Sequence, residues 1–343
     1  MKLPEPNNSI QSLIDKHHES QQEKPRHHLG CSLLGHPCDR YLWLSFRWAV
    51  IEDFPGRILR LFRRGQNEES TVVSDLRAIG MHISNTGLNQ SRVEFGSHVS
   101  GSLDGVIEFG VPEAPKAKHI LEIKTNSKRT FDDLEKKGVE KSKFQHFVQM
   151  QIYMMGKKID RALYVAVCKD DDRIYTERVR LDKDIANKYI ERGHRIALSD
   201  RMPETISADP SWYQCKFCAA HSMCHKAEPT KQVNCRTCAH STAKEDDTWL
   251  CEKWNDSIPK DVQYEGCEFH VIHPDVVPYK MVDSKEDGIA TYIIEGKAMK
   301  NGKRGGDVFS SKELISDPHS CVTADKFIMD TRKSFDAEIT SWD

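Results

Sequence analysis

Two carboxylates and a lysine are spaced in this sequence so that they could share one metal ion. Asp104 lies in the glycine-flanked segment 101–105, and Glu122 and Lys124 follow on either side of Ile123. Residues two apart on a strand point to the same face, so Glu122 and Lys124 would face one site and Ile123 the core. With Asp104 on an adjoining strand and the backbone carbonyl of Ile123, they predict a hard oxygen site for Mg²⁺ or Mn²⁺.

Such a site suits the hydrolysis of phosphodiester bonds. A divalent cation polarises the phosphoryl oxygen and lowers the pKa of an attacking water, and Lys124 could stabilise the developing charge or orient that water. An E-x-K triplet alone equally describes an exposed strand with an ordinary ion pair. The catalytic interpretation therefore depends on its neighbours, a carboxylate in Glu68-Glu69 upstream and Gln149 with Tyr153 downstream.

The elements that must position these side chains form a mixed α/β core. Helical spacing predicts a helix over 57–79, broken near Gly65, and a long helix over 131–155. Strands are expected within 91–109 and over 119–125, 163–167 and 174–181, followed by a helix over 184–198. The helix over 57–79 would carry Glu69, the strand over 119–125 Glu122 and Lys124, and the long helix Gln149 and Tyr153.

In this order the motifs resemble the PD-(D/E)XK nuclease superfamily, and within it the RecB-like branch that includes CRISPR-associated and lambda-type phage exonucleases. The resemblance covers roughly residues 28–226. It implies a restriction-endonuclease-like core, with a mixed central sheet flanked by helices. One departure is that many RecB-like members carry a histidine in the first motif, where this chain has an acidic residue.

The resemblance also implies a role for each motif residue. Glu69 matches the helix carboxylate of an R-G-x-x-x-E pattern, with Glu68 as the alternative. Asp104 is the motif aspartate, and Glu122 and Lys124 form the E-x-K pair. Gln149 and Tyr153 match a Q-x-x-x-Y motif that contacts DNA.

A first set of cysteines follows the motifs, at Cys215, Cys218 and Cys224. A closed site needs a fourth ligand. The resemblance to iron–sulfur RecB-like nucleases implies Cys38 and a [4Fe–4S] cluster, with Cys31 as the competing ligand. A zinc site completed by His221 or His225 is the alternative.

A second set has the spacing C-x2-C-x12-C-x15-C. Its members are Cys235, Cys238, Cys251 and Cys267. This arithmetic is close to that of a small zinc ribbon, with His270 as a substitute ligand. A segment this short has little core of its own, so Zn²⁺ would supply much of its folding energy.

The composition narrows the function further. A formal net charge of −2 excludes a strongly basic protein that binds nucleic acid nonspecifically. A locally basic groove is nevertheless enough for an enzyme that threads DNA. No apolar run is long enough for a membrane span, so no membrane partner is expected. The N-terminus lacks the pattern of a secretory signal, so a cytoplasmic location is expected, in a bacterium or in the host of a phage.

These features divide the chain into a polar segment (1–27), a RecB-like nuclease domain (28–228), a zinc-ribbon-like module (229–273) and an extension (274–343). The expected function is a DNA exonuclease acting on double-stranded ends or single strands in recombination, replication or repair. A recombination or single-strand annealing protein is an expected partner. The alternatives are an endonuclease of a defence or resolution pathway and a non-catalytic nucleic-acid-binding module, which the retained Asp104, Glu122 and Lys124 disfavour.

Overall fold

A computed structural model describes residues 9–284 and 288–340. Two compact units are present. Unit 1 comprises residues 1–36 and 52–194, and unit 2 comprises residues 37–51 and 195–343. Unit 2 thus includes residues 37–51 and 195–228, which the sequence-based division assigns to the nuclease domain.

The described residues contain ten α-helices. They are α1 (Ile10–Ser20), α2 (Asp39–Phe46), α3 (Gly56–Ala78), α4 (Lys128–Ser142), α5 (Phe144–Lys157), α6 (Lys183–Ala197), α7 (His221–His225), α8 (Ser311–Ser316), α9 (Pro318–Thr323) and α10 (Lys326–Phe335). In this part of the chain, no helix combines the length and the apolar character needed to cross a membrane.

The strands are short except at the centre of unit 1. They are β1 (Leu29–Gly30), β2 (Ile83–Ser84), β3 (Arg92–Glu94), β4 (Val99–Ser102), β5 (Gly105–Ile107), β6 (His119–Asn126), β7 (Arg161–Cys168), β8 (Ile174–Arg180), β9 (Ser241–Ala243), β10 (Trp249–Cys251), β11 (Asp256–Ser257), β12 (Lys280–Ser284), β13 (Ala290–Ile294), β14 (Lys297–Asn301) and β15 (Val308–Phe309).

Unit 1 is built around a five-stranded mixed sheet in the order β2-β5-β6-β7-β8. Its two longest strands, β6 and β7, are parallel, and α4 and α5 form the crossover between them, as parallel neighbours require. One face of these strands packs on α3 through aliphatic side chains, among them Val72, Val73, Leu121, Ile123 and Val165. Because Ile123 points into this core, its neighbours Glu122 and Lys124 point to the opposite face.

The helices of unit 1 differ from the expected ones in two places. The long helix expected over 131–155 is interrupted at two points. Gly138, with a φ of 73°, interrupts α4, and Lys143, with φ −136° and ψ 52°, separates α4 from α5, which begins at Phe144. By contrast, α3 runs unbroken through Gly65. A glycine disfavours a helix by only about 1 kcal/mol, which packing of α3 on the sheet can offset.

The strand region expected over 91–109 belongs to two sheets. A small sheet has the order β1-β4-β3, and β5 joins the five-stranded sheet instead. The chain changes sheets at residues 103–104, between β4 and β5. Asp104 therefore lies in this link and not within a strand.

Unit 2 combines α2 with the C-terminal part of the chain. It contains a three-stranded sheet in the order β11-β10-β9 and a four-stranded sheet in the order β12-β13-β14-β15. Its core includes two buried arginines among aromatic rings: the guanidinium of Arg236 lies 3.8 Å from the ring centroid of Trp48, and that of Arg47 lies 4.9 Å from the centroid of Trp43.

Candidate active site and cysteine sites

Glu122 and Lys124 are in direct contact on β6, with Glu122 buried and Lys124 partly exposed. Glu122 is 0% exposed, and its Oε1 lies 2.5 Å from Nζ of Lys124. The pKa of Glu122 is raised to about 8, chiefly by burial. Lys124 lowers this pKa by attraction, and Asp104 and Glu69 raise it by repulsion. Burial by itself lowers the pKa of Lys124, but Glu122 and Asp104 outweigh it, so the pKa of Lys124 is raised and the amine stays charged.

Asp104 is held beside this pair by the backbone of β6. Its Oδ2 accepts a hydrogen bond of 2.8 Å from the backbone N–H of Ile123. The next residue, Gly105, pairs with Leu121 in the antiparallel β5–β6 ladder. The strand register thus brings Asp104 to the E-x-K triplet, as the sequence predicts, although from a link between strands.

Glu69 reaches the same group of charges from α3. Burial raises the pKa of its carboxyl to about 7, Asp104 raises it further and Lys124 lowers it. This coupling places Glu69 near both residues. Three carboxylates and one lysine therefore converge, and Asp104 raises the pKa of both Glu69 and Glu122 because like charges resist ionising together.

Gln149 and Tyr153 lie on α5, one helical turn apart, with Nε2 of Gln149 donating to the Tyr153 hydroxyl at 3.3 Å. Burial raises the pKa of Tyr153, and Glu122 raises it further, so the phenol lies near the Glu122–Lys124 pair. A Cβ at Gly101 would stand 2.8 Å from the Tyr153 hydroxyl. The Gln149 and Tyr153 side chains are both buried, so they are placed to pack near Glu122 and hold it in position. That they contact DNA stays a prediction.

Tyr164 is a site residue that the motifs do not indicate. It stands opposite Glu122 in the β6–β7 register, is fully buried, and its hydroxyl lies 2.9 Å from Nδ1 of His146. Burial, Lys124 and Lys143 lower the pKa of His146 to about 3, so this imidazole is neutral. No sequence signal could reveal Tyr164, because its place depends on how two distant strands pair.

The donor types of this site suit a hard divalent cation, although no group of three His, Cys, Asp or Glu side chains among the described residues is arranged to hold one. Among the described residues, no donor satisfies the buried Oε2 of Glu122. An orphaned buried carboxylate oxygen is costly without a partner, and a cation would provide one. Carboxylates of Asp104 and Glu69 stand close by and offer the oxygen ligands that Mg²⁺ and Mn²⁺ prefer.

The first cysteine set comes together within unit 2. Cys38 precedes α2, and its Sγ accepts from the backbone N–H of Tyr41 at 3.5 Å. Burial raises the pKa of each of the three late thiols, and the charge of Cys38 raises each one further, which puts Cys38 near Cys215, Cys218 and Cys224. The competing Cys31 is fully buried in unit 1, where Gly101 and Tyr153 are its neighbours.

The second cysteine set surrounds a small cavity, also in unit 2. Cys235 and Cys238 lie on a tight turn capped by Asn234, and Cys251 ends β10. These three and Cys267 line a cavity of about 30 Å³. In the described parts of the chain no cysteine forms a disulfide, and no group of three or more His, Cys, Asp or Glu residues has the spacing of a preformed metal site.

Comparisons with known proteins show a partial likeness of shape. No protein-family profile matches the chain, and no curated protein matches its sequence. Solved structures that match part of the chain include SSO0001, which is 15% identical, with 64% of this chain and 97% of that one covered and a TM-score of 0.40. Another is the alkaline exonuclease LHK-Exo of Laribacter hongkongensis, which is 15% identical, with 53% of this chain and 90% of that one covered and a TM-score of 0.35. LHK-Exo has also been solved in complex with dAMP. A third is a phage-related exonuclease of Haemophilus somnus 129PT, which is 19% identical, with 38% of this chain and 65% of that one covered and a TM-score of 0.26.

Proposed function

We propose that this chain is a Mg²⁺- or Mn²⁺-dependent DNA nuclease, and an exonuclease. The observation that carries the proposal is the convergence of Glu69, Asp104, Glu122 and Lys124 in unit 1. Glu122 is fully buried, and its Oε2 has no hydrogen-bond partner among the described residues. Burying charges costs several kcal/mol per ion. Strongly perturbed carboxylates grouped with a lysine are typical of functional sites.

Asp104 and Glu122 would hold the cation, with the carbonyl of Ile123 as a further ligand and Glu69 nearby. When bound, the cation would supply Lewis-acid activation of the phosphodiester and of the attacking water. The chain's own residues do the rest. Lys124 stays charged and can stabilise the negative charge that develops on the phosphate. The backbone N–H of Ile123 fixes the Asp104 carboxylate.

DNA as the substrate is supported by the charges on α3. The N-terminal half of the helix that carries Glu69 also carries Arg57, Arg63 and Arg64, all exposed, and such a basic stretch can neutralise phosphates. The exonuclease assignment comes from the motif resemblance, chiefly Gln149 and Tyr153. A recombination or single-strand annealing protein as partner belongs to the same proposal.

We also propose that the first cysteine set binds a [4Fe–4S] cluster and the second binds Zn²⁺. The proximity of Cys38 to the three late thiols supports the first site. Four thiols around a cavity of about 30 Å³ support a single zinc ion in the second. Both sites would be structural. The first would join Cys38 to cysteines that are distant in sequence, and the second would stabilise a short segment with little core of its own.

The nuclease proposal is tested by incubating the protein with Mg²⁺ or Mn²⁺ and end-labelled linear, circular and single-stranded DNA. We expect wild type to degrade DNA with ends and Glu122→Gln to lose at least 100-fold in rate, on the order of the loss when a key electrostatic group is removed. Glu94→Gln is the matched control, because Glu94 is an exposed glutamate of unit 1 paired with Arg92.

Each outcome of this assay decides between the candidates. Cleavage that requires DNA ends supports an exonuclease, and nicking of closed circles supports an endonuclease. DNA binding without cleavage would make the chain a non-catalytic binding module. Full activity of a correctly folded Glu122→Gln protein would refute the assigned site.

A further inference from the structure

An exposed aromatic cluster stands on unit 2 beside the first cysteine set. Its rings belong to Phe217, Tyr213 and Trp212, which are 86%, 67% and 44% exposed. The ring centroids of Trp212 and Tyr213 are 5.0 Å apart. Large rings left in water forgo the free energy of burial, about 1.5–3 kcal/mol for a side chain such as Phe, so three exposed within six residues call for an explanation.

The backbone holds these rings in a tight local turn. The backbone N–H groups of Cys215 and Lys216 both donate to the Trp212 carbonyl, at 2.8 and 2.9 Å, and that of Cys218 donates to the Cys215 carbonyl at 3.0 Å. Phe217 stands between Cys215 and Cys218, so the cysteine site anchors the residues on both sides of it. A platform of this kind loses little conformational entropy when a ligand binds.

Lys216 lies against one of these rings. Nζ of Lys216 lies 5.4 Å from the Phe217 centroid. Residues 210–227 also contain Lys226, and the acidic residues Asp209 and Glu228 stand immediately outside this segment. Asp209 precedes this segment, but its Oδ1 accepts hydrogen bonds from the backbone and hydroxyl of Ser211, both at 2.8 Å. The cluster therefore pairs the exposed Phe217 ring with the cation of Lys216.

We propose that Trp212, Tyr213, Phe217 and Lys216 form a binding surface for single-stranded DNA. Bases stack on aromatic side chains while lysines neutralise the adjacent phosphates, and only an unpaired strand presents its base faces for stacking. The proposal rests on the proposed nuclease function in its choice of DNA as the nucleic acid. It assigns to unit 2 the capture of an unpaired strand, a role separate from the hydrolysis assigned to unit 1.

The test is the affinity for 5′-fluorescein-labelled (dT)20, measured by fluorescence anisotropy on the full chain. All proteins carry Glu122→Gln, so binding is read without cleavage. We expect Phe217→Ala to weaken binding about tenfold, within the usual contribution of one stacked base, and Phe217→Trp to retain it. Phe335→Ala is the matched control, because Phe335 is 79% exposed and outside the cluster, and it should change nothing.

Two further variants keep the test decisive. Trp212→Ala lies outside the C-x2-C turn, so it should weaken binding about tenfold even if Phe217→Ala disturbs the cysteine site. Lys216→Glu should lower the slope of log affinity against log salt by about one, as expected for one lost phosphate contact. The affinity for a blunt hairpin duplex, whose bases are already stacked, should be unchanged by either ring substitution.

The proposal is overturned if the Glu122→Gln protein does not bind (dT)20, or if the ring variants bind (dT)20 as tightly as the Glu122→Gln protein does. It is also overturned if Phe217→Leu binds as tightly as Phe217→Trp, since the surface would then be an apolar contact for a protein. If the ring variants lose (dT)20 affinity while the wild-type chain cleaves no DNA, the surface stands and the proposed nuclease function fails.

Discussion

The metal affinity of the site should rise steeply with pH. Burial raises the pKa of Glu122 to about 8 and that of Glu69 to about 7, so at pH 6 both carboxyls hold their protons. A cation must displace these protons to bind. Because both pKa values are raised, binding strengthens as the pH rises through 7 and 8 and weakens below.

The size of the effect follows from these values. Below its pKa, a carboxyl that must ionise weakens cation binding about tenfold per pH unit. With a pKa of about 8, Glu122 alone should lower the half-saturating Mg²⁺ concentration about 50-fold between pH 6 and pH 8. Glu69, which is only half-buried, would add up to about tenfold if it also binds the ion.

Two measurements of Mg²⁺ dependence between pH 6.0 and 8.5 test this expectation. One is the half-saturating Mg²⁺ concentration for cleavage of an end-labelled duplex. The other is the Mg²⁺-induced rise in melting temperature, which reads binding without activity. Glu69→Gln should keep the part of the dependence due to Glu122, and Glu122→Gln should remove most of the response.

The reasoning is refuted if the half-saturating Mg²⁺ concentration of the wild-type protein is the same at pH 6 and pH 8. It is equally refuted if Glu122→Gln keeps the wild-type Mg²⁺ affinity and pH dependence. Ionic strength must be held constant, because screening alone changes the apparent affinity of a charged site.

Three other predictions concern the two cysteine sites and the packing of Tyr153 beside the proposed active site. Cys38→Ser should lower iron content and melting temperature in anaerobically purified protein, whereas Cys168→Ser should leave iron content unchanged; equal iron in both would exclude Cys38 as a ligand. Cys251→Ser should lower the zinc content by about one ion per chain, measured by elemental analysis, and an unchanged content would contradict the second site. Gly101→Ala should push the Tyr153 hydroxyl, 2.8 Å from the new Cβ, and destabilise unit 1 by about 1–3 kcal/mol; an unchanged denaturation midpoint would contradict this contact.

Local patterns predicted much of the central architecture. The apolar spacing around Val72 and Val73 predicts a helix, and the alternation around Ile123 predicts a buried strand, because both depend only on which face of an element avoids water. These two elements are present as α3 and β6, and they carry Glu69, Glu122 and Lys124.

Helix continuity was harder to predict. A glycine lowers helix propensity wherever it occurs, but its effect depends on what surrounds it. Gly65 stays helical within α3, which packs on the sheet, whereas Gly138 adopts a left-handed conformation and interrupts α4. Sequence patterns contain the propensity and not the tertiary contact that decides the result.

By itself, the sequence determined which chemistry is available: carboxylates and a lysine at strand spacing, and two sets of thiols at metal-ligand spacing. Only the tertiary structure decided that Glu122 is fully buried, that Asp104 accepts a hydrogen bond from Ile123, that Tyr164 stands opposite Glu122 and that Cys38 lies near three distant cysteines. The physical reason is that residue type and spacing are local properties. Burial, strand register and the meeting of distant thiols depend on the rest of the chain folding around them.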